Sequence, residues 1–228
     1  IIIPVYNEDE VIKSVLLNWV TFLKNLNIDF EIIVYNDGSK DNTLENINEV
    51  AIKNKEVIII DKKNSGHGPT IIQGYQESLG KWVFQMDSDD EIKVKDFKKI
   101  WSARKNYDFV IGKRANRHSP LSRKIITSVS RLTVFLLYGR KVYDVNCPFR
   151  LYRREKFQSV FNKIPHDTFA PNVILSGMAS KMNMNVKEIN VEFFPRETGE
   201  VSIQKFKLLK VAALSLFQTV SFIFIDLD

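Results

Sequence analysis

The chain has 228 residues, 44% of them hydrophobic and 26% charged, which suffices for one sizeable core and excludes a disordered chain. Its single cysteine, Cys147, excludes an intramolecular disulfide framework and fits a reducing compartment. The net charge of +6 is unevenly spread: from Ile111 to Arg154 eleven lysines and arginines face Asp144 alone, so this stretch expects anions such as nucleic acid, phospholipid headgroups or a phosphorylated substrate.

The chain opens inside a strand pattern without a methionine, so residues upstream of Ile1 are expected. "IIIPV" and "FEIIVY" are β-branched runs, and between them Glu10 to Leu26 carries apolar residues at helical spacing. Asp41 to Asn54 predicts a second helix, Val57 to Ile60 a third strand, and Pro69 to Leu79 a helix with proline in its first turn. "KWVFQMD" predicts the fourth strand, and Val94 to Arg104 followed by "DFVIG" continues the alternation. Such βαβ repetition implies an α/β fold with a mostly parallel sheet covered by helices on both faces. After Gly112 the rhythm gives way to a basic loop, a long helix from about Arg123 to Tyr138, and mixed structure, which suggests an acceptor-binding half. The domain expectation is a catalytic unit over residues 1–203, with a nucleotide-binding half at 1–112 and an acceptor half at 113–203, followed by an amphipathic helix at 204–228.

In open α/β sheets ligands bind outside the carboxyl ends of the strands. After the first strand come Pro4, Tyr6, Asn7 and Glu8; after the second, "NDGS" from Asn36 to Ser39; after the fourth, Asp87, Ser88 and Asp89. Acids at adjacent strand ends with an aromatic nearby suit a nucleotide whose diphosphate is met by a metal. Asp87 and Asp89 flank Ser88 so that both carboxylates can reach one hard cation, with Glu91 as a third oxygen donor, and Mg²⁺ or Mn²⁺ suits oxygen ligands that bridge to phosphates. A D-x-D alone more often caps a helix or faces water; its position after a buried strand favours the metal. In "NSGHGPT" a tight turn and a diphosphate contact stand side by side, and His67 reads as a turn or supporting residue rather than a metal ligand. His118 and His166 have no partner at ligand spacing, which argues against zinc.

The ordered set "IPVYNE", "VYNDGSKDNT", "NSGHGPTIIQGY", "MDSDDE", "IGKR", "CPFRLYRRE" and "PRETGEVS" resembles the glycosyltransferase family 2 enzymes of GT-A fold, and within them the polyprenyl-phosphate sugar transferases of the dolichol-phosphate mannose synthase type. The resemblance implies that Pro4, Tyr6, Glu8, Asp37 and Ser88 bind a UDP- or GDP-linked donor and that Asp87, Asp89 and Glu91 hold the metal. It also implies that Arg114, Arg123, Arg150 and Arg196, with Ser202, receive phosphates, with Lys124 or Arg131 as alternatives to Arg123, that Asp89, Arg114, Arg123 and Arg196 carry the chemistry, and that transfer inverts the anomeric centre. Three departures stand out: Asn36 replaces one of the usual paired acids, Pro148 stands where glycine is common, and "GEVS" is one residue longer than the common "GES".

A lipid phosphate is already an anion near neutral pH, so it needs cations to hold it rather than a strong base; an alcohol acceptor would require a carboxylate such as Asp90 or Glu91 as general base. Arg123 to Tyr138 fits either a helix at a bilayer surface or a core helix, and Lys205 to Ile225 carries a narrow polar stripe, as an interfacial anchor would, with a dimer- or domain-packing helix as the rival reading. Lys210 makes the latter marginal as a spanning segment. The resulting expectation is a membrane-associated enzyme on the cytoplasmic face, acting on a nucleotide sugar and a polyprenyl phosphate lipid, with homo-oligomerisation left open. The rivals are a family 2 transferase for a hydroxyl acceptor and a non-catalytic nucleotide-sugar or lipid-binding module. Metal-binding acids beside a nucleotide pocket argue against a nucleic-acid binder.

Overall fold

A computed structural model describes residues 1–115, 121–139, 142–194 and 205–225, with the backbone alone described for 121–126, 205–209 and 211. The alternating first half folds as the sequence predicts: β1 (Ile2–Val5), α1 (Ile12–Asn25), β2 (Ile32–Asn36), α2 (Thr43–Ala51), β3 (Val57–Asp61), α3 (His67–Glu77) and β4 (Trp82–Gln85). A single 3₁₀ turn, Val94–Asp96, then leads into the short α4 (Phe97–Ala103), splitting the helix expected over Val94 to Arg104. Pro69 sits at the third position of α3, where the missing N–H would lack an intrahelical partner anyway.

The second half contains β5 (Phe109–Ala115), α5 (Leu121–Tyr138), β6 (Arg150–Arg153), α6 (Arg154–Lys163), α7 (Pro171–Lys181), β7 (Val186–Glu192) and α8 (Lys205–Phe222). The seven-stranded sheet has the order β3-β2-β1-β4-β6-β5-β7. All pairs are parallel except those of β6, which lies antiparallel between β4 and β5 with Phe84 opposite Leu151 and Val110 opposite Leu151. The sheet is therefore mostly parallel, and "DFVIG" joins it through β6 and β7 rather than beside the fourth strand.

The strand order turns back between β1 and β4, a switch point of the kind that opens a crevice at the carboxyl ends. Pro4 helps to open it. The bonds Ile33 N–H to Ile1 O and Asp37 N–H to Val5 O direct the odd residues of β1 towards β2, so Pro4 turns towards β4, whose register with β1 is limited to Ile2 opposite Gln85. A proline there removes no ladder bond from the sheet.

Two aromatic clusters fill the core. Trp19 of α1 meets Phe84, Phe97 and Phe149 at centroid distances of 5.5, 5.3 and 6.1 Å. Tyr152 meets Phe109, Phe157 and Tyr75 at 4.8, 4.6 and 5.3 Å. α8 docks on this body: Tyr138 donates to the Thr219 carbonyl at 2.5 Å, and Gln218 bridges the Phe169 N–H and the Asp167 carbonyl at 2.8 and 3.1 Å.

Candidate active site

Because β1, β2 and β4 run parallel, the loops that follow them meet at one edge of the sheet. The β1 loop is tied to the β2 loop by Asn7, whose N–H donates to Ser39 Oγ at 3.0 Å while its Oδ1 accepts from the Lys40 N–H at 2.8 Å. Asn7 takes φ of 53°, in the left-handed region that asparagine tolerates. The Glu8 N–H donates to Thr43 Oγ1 at 2.8 Å and its carbonyl accepts from Ile12 N–H at 2.9 Å, opening α1. These bonds leave Tyr6 41% exposed at the mouth of the crevice.

Asp37, expected to contact the nucleotide, is bonded to the loop that follows β3. It is 4% exposed, and its Oδ1 accepts from the Ser65 N–H at 2.9 Å and pairs with Lys62, while Oδ2 accepts from the Gly66 N–H at 2.9 Å. Burial opposes its charge, yet Lys62 and the two amides outweigh burial and hold its pKa below the ordinary value. Asp37 thus clamps the loop that leads into α3. The adjoining Gly38 has φ of +72°, and a Cβ there would fall 2.8 Å from the Asn64 nitrogen, so the turn requires glycine. Asn36 finds its reason next door: its amide donates to Asp61 Oδ1 at the end of β3, at 2.7 Å, where a second carboxylate would repel the first.

The β4 loop brings the acids together. Asp87, Asp89, Glu91 and Arg114 line one cavity with Met86, Ile92, Pro148, Phe149 and Phe193. Its volume is about 10 Å³, close to that of one water-sized sphere. Asp90 stands apart, with φ of 56° and its carboxylate 2.6 Å from the Lys93 ammonium. Ser88 is buried. Among the described residues no three acids, histidines or cysteines form a complete metal cage. The donor set nonetheless suits a hard divalent ion held by one or two carboxylates and completed by phosphate oxygens, since the cavity is ion-sized and three carboxylate residues are part of its lining.

A contact across the crevice was not legible in the sequence. His67, the first residue of α3, places Nε2 3.0 Å from Asp87 Oδ1. Desolvation opposes protonation of the imidazole, but Asp87, with Asp89 and Asp37 farther off, raises its pKa. Desolvation likewise works against the charge of Asp87, and His67, Arg114 and Arg150 together bring its pKa below the usual carboxylate value. The available signal was the pairing of glycines around His67. A Cβ on Gly68 would lie 2.2 Å from the Thr168 carbonyl oxygen, so the start of α3 is pressed against the loop before α7.

The predicted cations divide. Arg114 reaches the cavity and is held there by Asp144, with Nε to Oδ2 at 2.9 Å and Nη2 to Oδ1 at 2.8 Å. Asp144, the lone acid of the basic stretch, is thus the residue that orients it. Arg150, also expected to receive a phosphate, lies deeper. It is fully buried and donates to the carbonyls of Cys147, Asn172 and Val145 at 2.6, 2.9 and 3.1 Å, so its guanidinium braces the core and is not presented to a phosphate. Pro4 is buried within β1. Arg123 lies in the first turns of α5 with its side chain outside the described residues, and Arg196 and Ser202 lie outside them altogether.

The chain is similar to known proteins over nearly all its length. It is 29% identical over 214 residues to the undecaprenyl-phosphate 4-deoxy-4-formamido-L-arabinose transferase of Proteus mirabilis, covering 92% of this chain and 64% of that protein. Against the dolichyl-phosphate beta-glucosyltransferase ALG5C of Trichomonas vaginalis it is 27% identical over 232 residues, covering 92% and 67%. The chain therefore spans roughly two thirds of the length of these relatives. Its fold matches the crystal structure of glucosyl-3-phosphoglycerate synthase from Mycobacterium tuberculosis in complex with phosphoglyceric acid, with a TM-score of 0.71 at 15% identity, covering 99% of this chain and 79% of that one. The Glycosyl transferase family 2 model matches residues 1–161, and the chain belongs to that family.

Proposed function

We propose that this chain is the catalytic part of a membrane-associated, inverting glycosyltransferase that moves a sugar from a nucleoside diphosphate donor to a polyprenyl phosphate at the cytoplasmic face. The observation that carries the reading is the convergence of Asp87, Asp89, Glu91 and Arg114 on one ion-sized cavity at the carboxyl edge of the sheet. The named activities of the Proteus and Trichomonas relatives support the acceptor class, and the Mycobacterium synthase, solved with Mn²⁺ and UDP, supports a divalent ion at the donor.

In this reading Asp87, Asp89 and Glu91 hold Mg²⁺ or Mn²⁺, which supplies positive charge to the departing diphosphate when bound. Arg114, fixed by Asp144 before any substrate arrives, adds a second positive group that needs no reorganisation. Tyr6 is available to lie against the nucleotide base. Asp90 is engaged by Lys93, which favours an acceptor that arrives already ionised over an alcohol awaiting deprotonation. The catalytic unit is taken as residues 1–203, with 204–228 as its membrane-facing helix.

Association with a membrane surface is supported by exposed apolar side chains on two adjoining helices, Leu132, Phe135 and Leu136 of α5 and Leu214 and Phe217 of α8. Beside them, Lys113 and Arg131 stack on Tyr143 at 4.7 and 4.3 Å, the mixture of cations and apolar surface that suits anionic lipid. No helix among the described residues is long and apolar enough to cross a membrane.

The test is incubation of the full-length protein with labelled UDP- and GDP-sugars, polyprenyl phosphate and Mg²⁺ or Mn²⁺, followed by organic extraction. Label in the organic phase is the expected result. Label found solely on a soluble hydroxyl acceptor would overturn the lipid assignment.

A further inference from the structure

We infer that Glu188 of β7 is a positioning residue for the reaction: through the backbone of Tyr143 and Asp144 it fixes the carboxylate that aims Arg114 into the acidic cavity. The inference rests on the glycosyltransferase reading and deepens it by placing one of its determinants on the edge strand, outside the ordered set of sequence motifs.

Arg114 and Asp144 are joined at three points. Asp144 Oδ2 accepts from the Arg114 backbone N–H at 3.2 Å and from its Nε at 2.9 Å, and Oδ1 accepts from Nη2 at 2.8 Å. Where the Asp144 carboxylate sits therefore decides where the guanidinium points. That carboxylate is carried by residues 142–149, between α5 and β6, which form neither helix nor strand and so need other anchors. Downstream, the Val145 carbonyl accepts from Ser176 Oγ at 2.8 Å and from Arg150 Nη2 at 3.1 Å, and the Cys147 N–H closes a turn onto the Asp144 carbonyl at 3.0 Å.

Glu188 supplies an anchor on the upstream side. Its Oε1 accepts from the N–H groups of Tyr143 and Asp144, each at 2.9 Å. Two successive amides aimed at one anion form a small concave seat, and filling it fixes the plane of the peptide between them. The direction in which the Asp144 side chain leaves the backbone is fixed with it. An ionised acceptor makes such bonds stronger than a neutral one would.

The base of Glu188 is itself fixed relative to Arg114. β7 runs parallel to β5, with Glu188 opposite Ile111 and Val191 opposite Arg114. Strand ladder, glutamate and aspartate thus close a circuit: β5 holds β7, Glu188 of β7 holds the Tyr143–Asp144 backbone, and Asp144 returns to Arg114 on β5. Removing Glu188 opens this circuit upstream of Asp144 while leaving both charged partners of the ion pair in place. Supporting residues of this kind act on rate only through the group that they hold.

The test is a double-mutant cycle on the full-length protein. It reads kcat/KM for transfer from labelled UDP- and GDP-sugars to polyprenyl phosphate with Mn²⁺, and the melting temperature, for the unmutated protein, Glu188→Ala, Arg114→Ala and the pair. In Glu188→Ala, kcat/KM should fall about tenfold. Glu188→Gln, which keeps an oxygen but not the charge, should lose only about threefold. With Arg114 already replaced by alanine, neither change at Glu188 should cost anything further. Should Glu188→Ala fail to fold, the same cycle run with Glu188→Gln decides. Equal losses with and without Arg114, or no loss at all, would overturn the role of Glu188 and leave the Arg114 assignment standing. Full activity in Arg114→Ala would remove the residue that Glu188 serves, and no transfer by the unmutated protein from any donor would overturn the glycosyltransferase reading and this inference together.

Discussion

The two halves of the molecule use charge in opposite ways. In residues 1–112 acids gather at strand ends beside an open crevice, and although Asp37 is consumed as a clamp, Asp87, Asp89 and Glu91 still line a shared cavity. In the second half some of the described cations are turned inwards: Arg150 braces buried carbonyls and Arg153 pairs with Asp108 at 3.3 Å. Arg114 is the described arginine that crosses from one use to the other, because Asp144 holds it against the acidic cavity. The difference teaches that a cluster of like charges in sequence says little until each residue's face on its strand is known.

The sharpest way to break this contrast is Asp89→Ala, which should lower transfer on the order of 10³-fold while the melting temperature stays unchanged. Activity close to that of the unmutated protein would remove the acids from the mechanism. Arg150→Met should do the reverse, costing about 3 kcal/mol or more of stability in denaturant unfolding by leaving buried carbonyls unpaired, with turnover per folded molecule preserved. Loss of turnover without loss of stability would restore Arg150 to the site. Asp144→Asn tests the crossing point: Arg114 loses its charged partner, and steady-state kinetics should show a fall of about tenfold.

The smallest effect concerns acid. Asp37 has a lowered pKa in the folded protein, so its stabilising contribution is present above the ordinary value of 3.8 and is lost as pH falls through the lowered folded value. Unfolding measured from pH 7 to pH 2 should therefore show an acid limb that flattens in Asp37→Asn. An unchanged limb would mean that the clamp carries no net charge interaction.

The first four strands and three helices were legible because β-branched runs and helical apolar spacing coincide with their burial. β6 was not, since a four-residue strand containing Arg150 and Arg153 reads as surface until its buried arginine is matched with carbonyls from distant residues. α7 escaped for the opposite reason: it is buried from Pro171 to Ser180, polar Asn172 and Ser176 included, so it has no polar face to mark a helical period. β7 is an edge strand whose side chains are half-exposed or exposed except Val191, and it lacks an apolar alternation. At the site, the acids after β4 were readable from their position, whereas the contact between His67 and Asp87 depends on two loops separated by 20 residues meeting at the sheet edge.

The central claim is that the acids of the β4 loop bind a divalent ion together with the donor diphosphate. Crystals grown with Mn²⁺ and UDP or GDP test it most directly through anomalous scattering. The account predicts a manganese peak between the Asp89 carboxylate and the diphosphate. A bound nucleotide diphosphate with no manganese beside Asp87, Asp89 or Glu91 would contradict it.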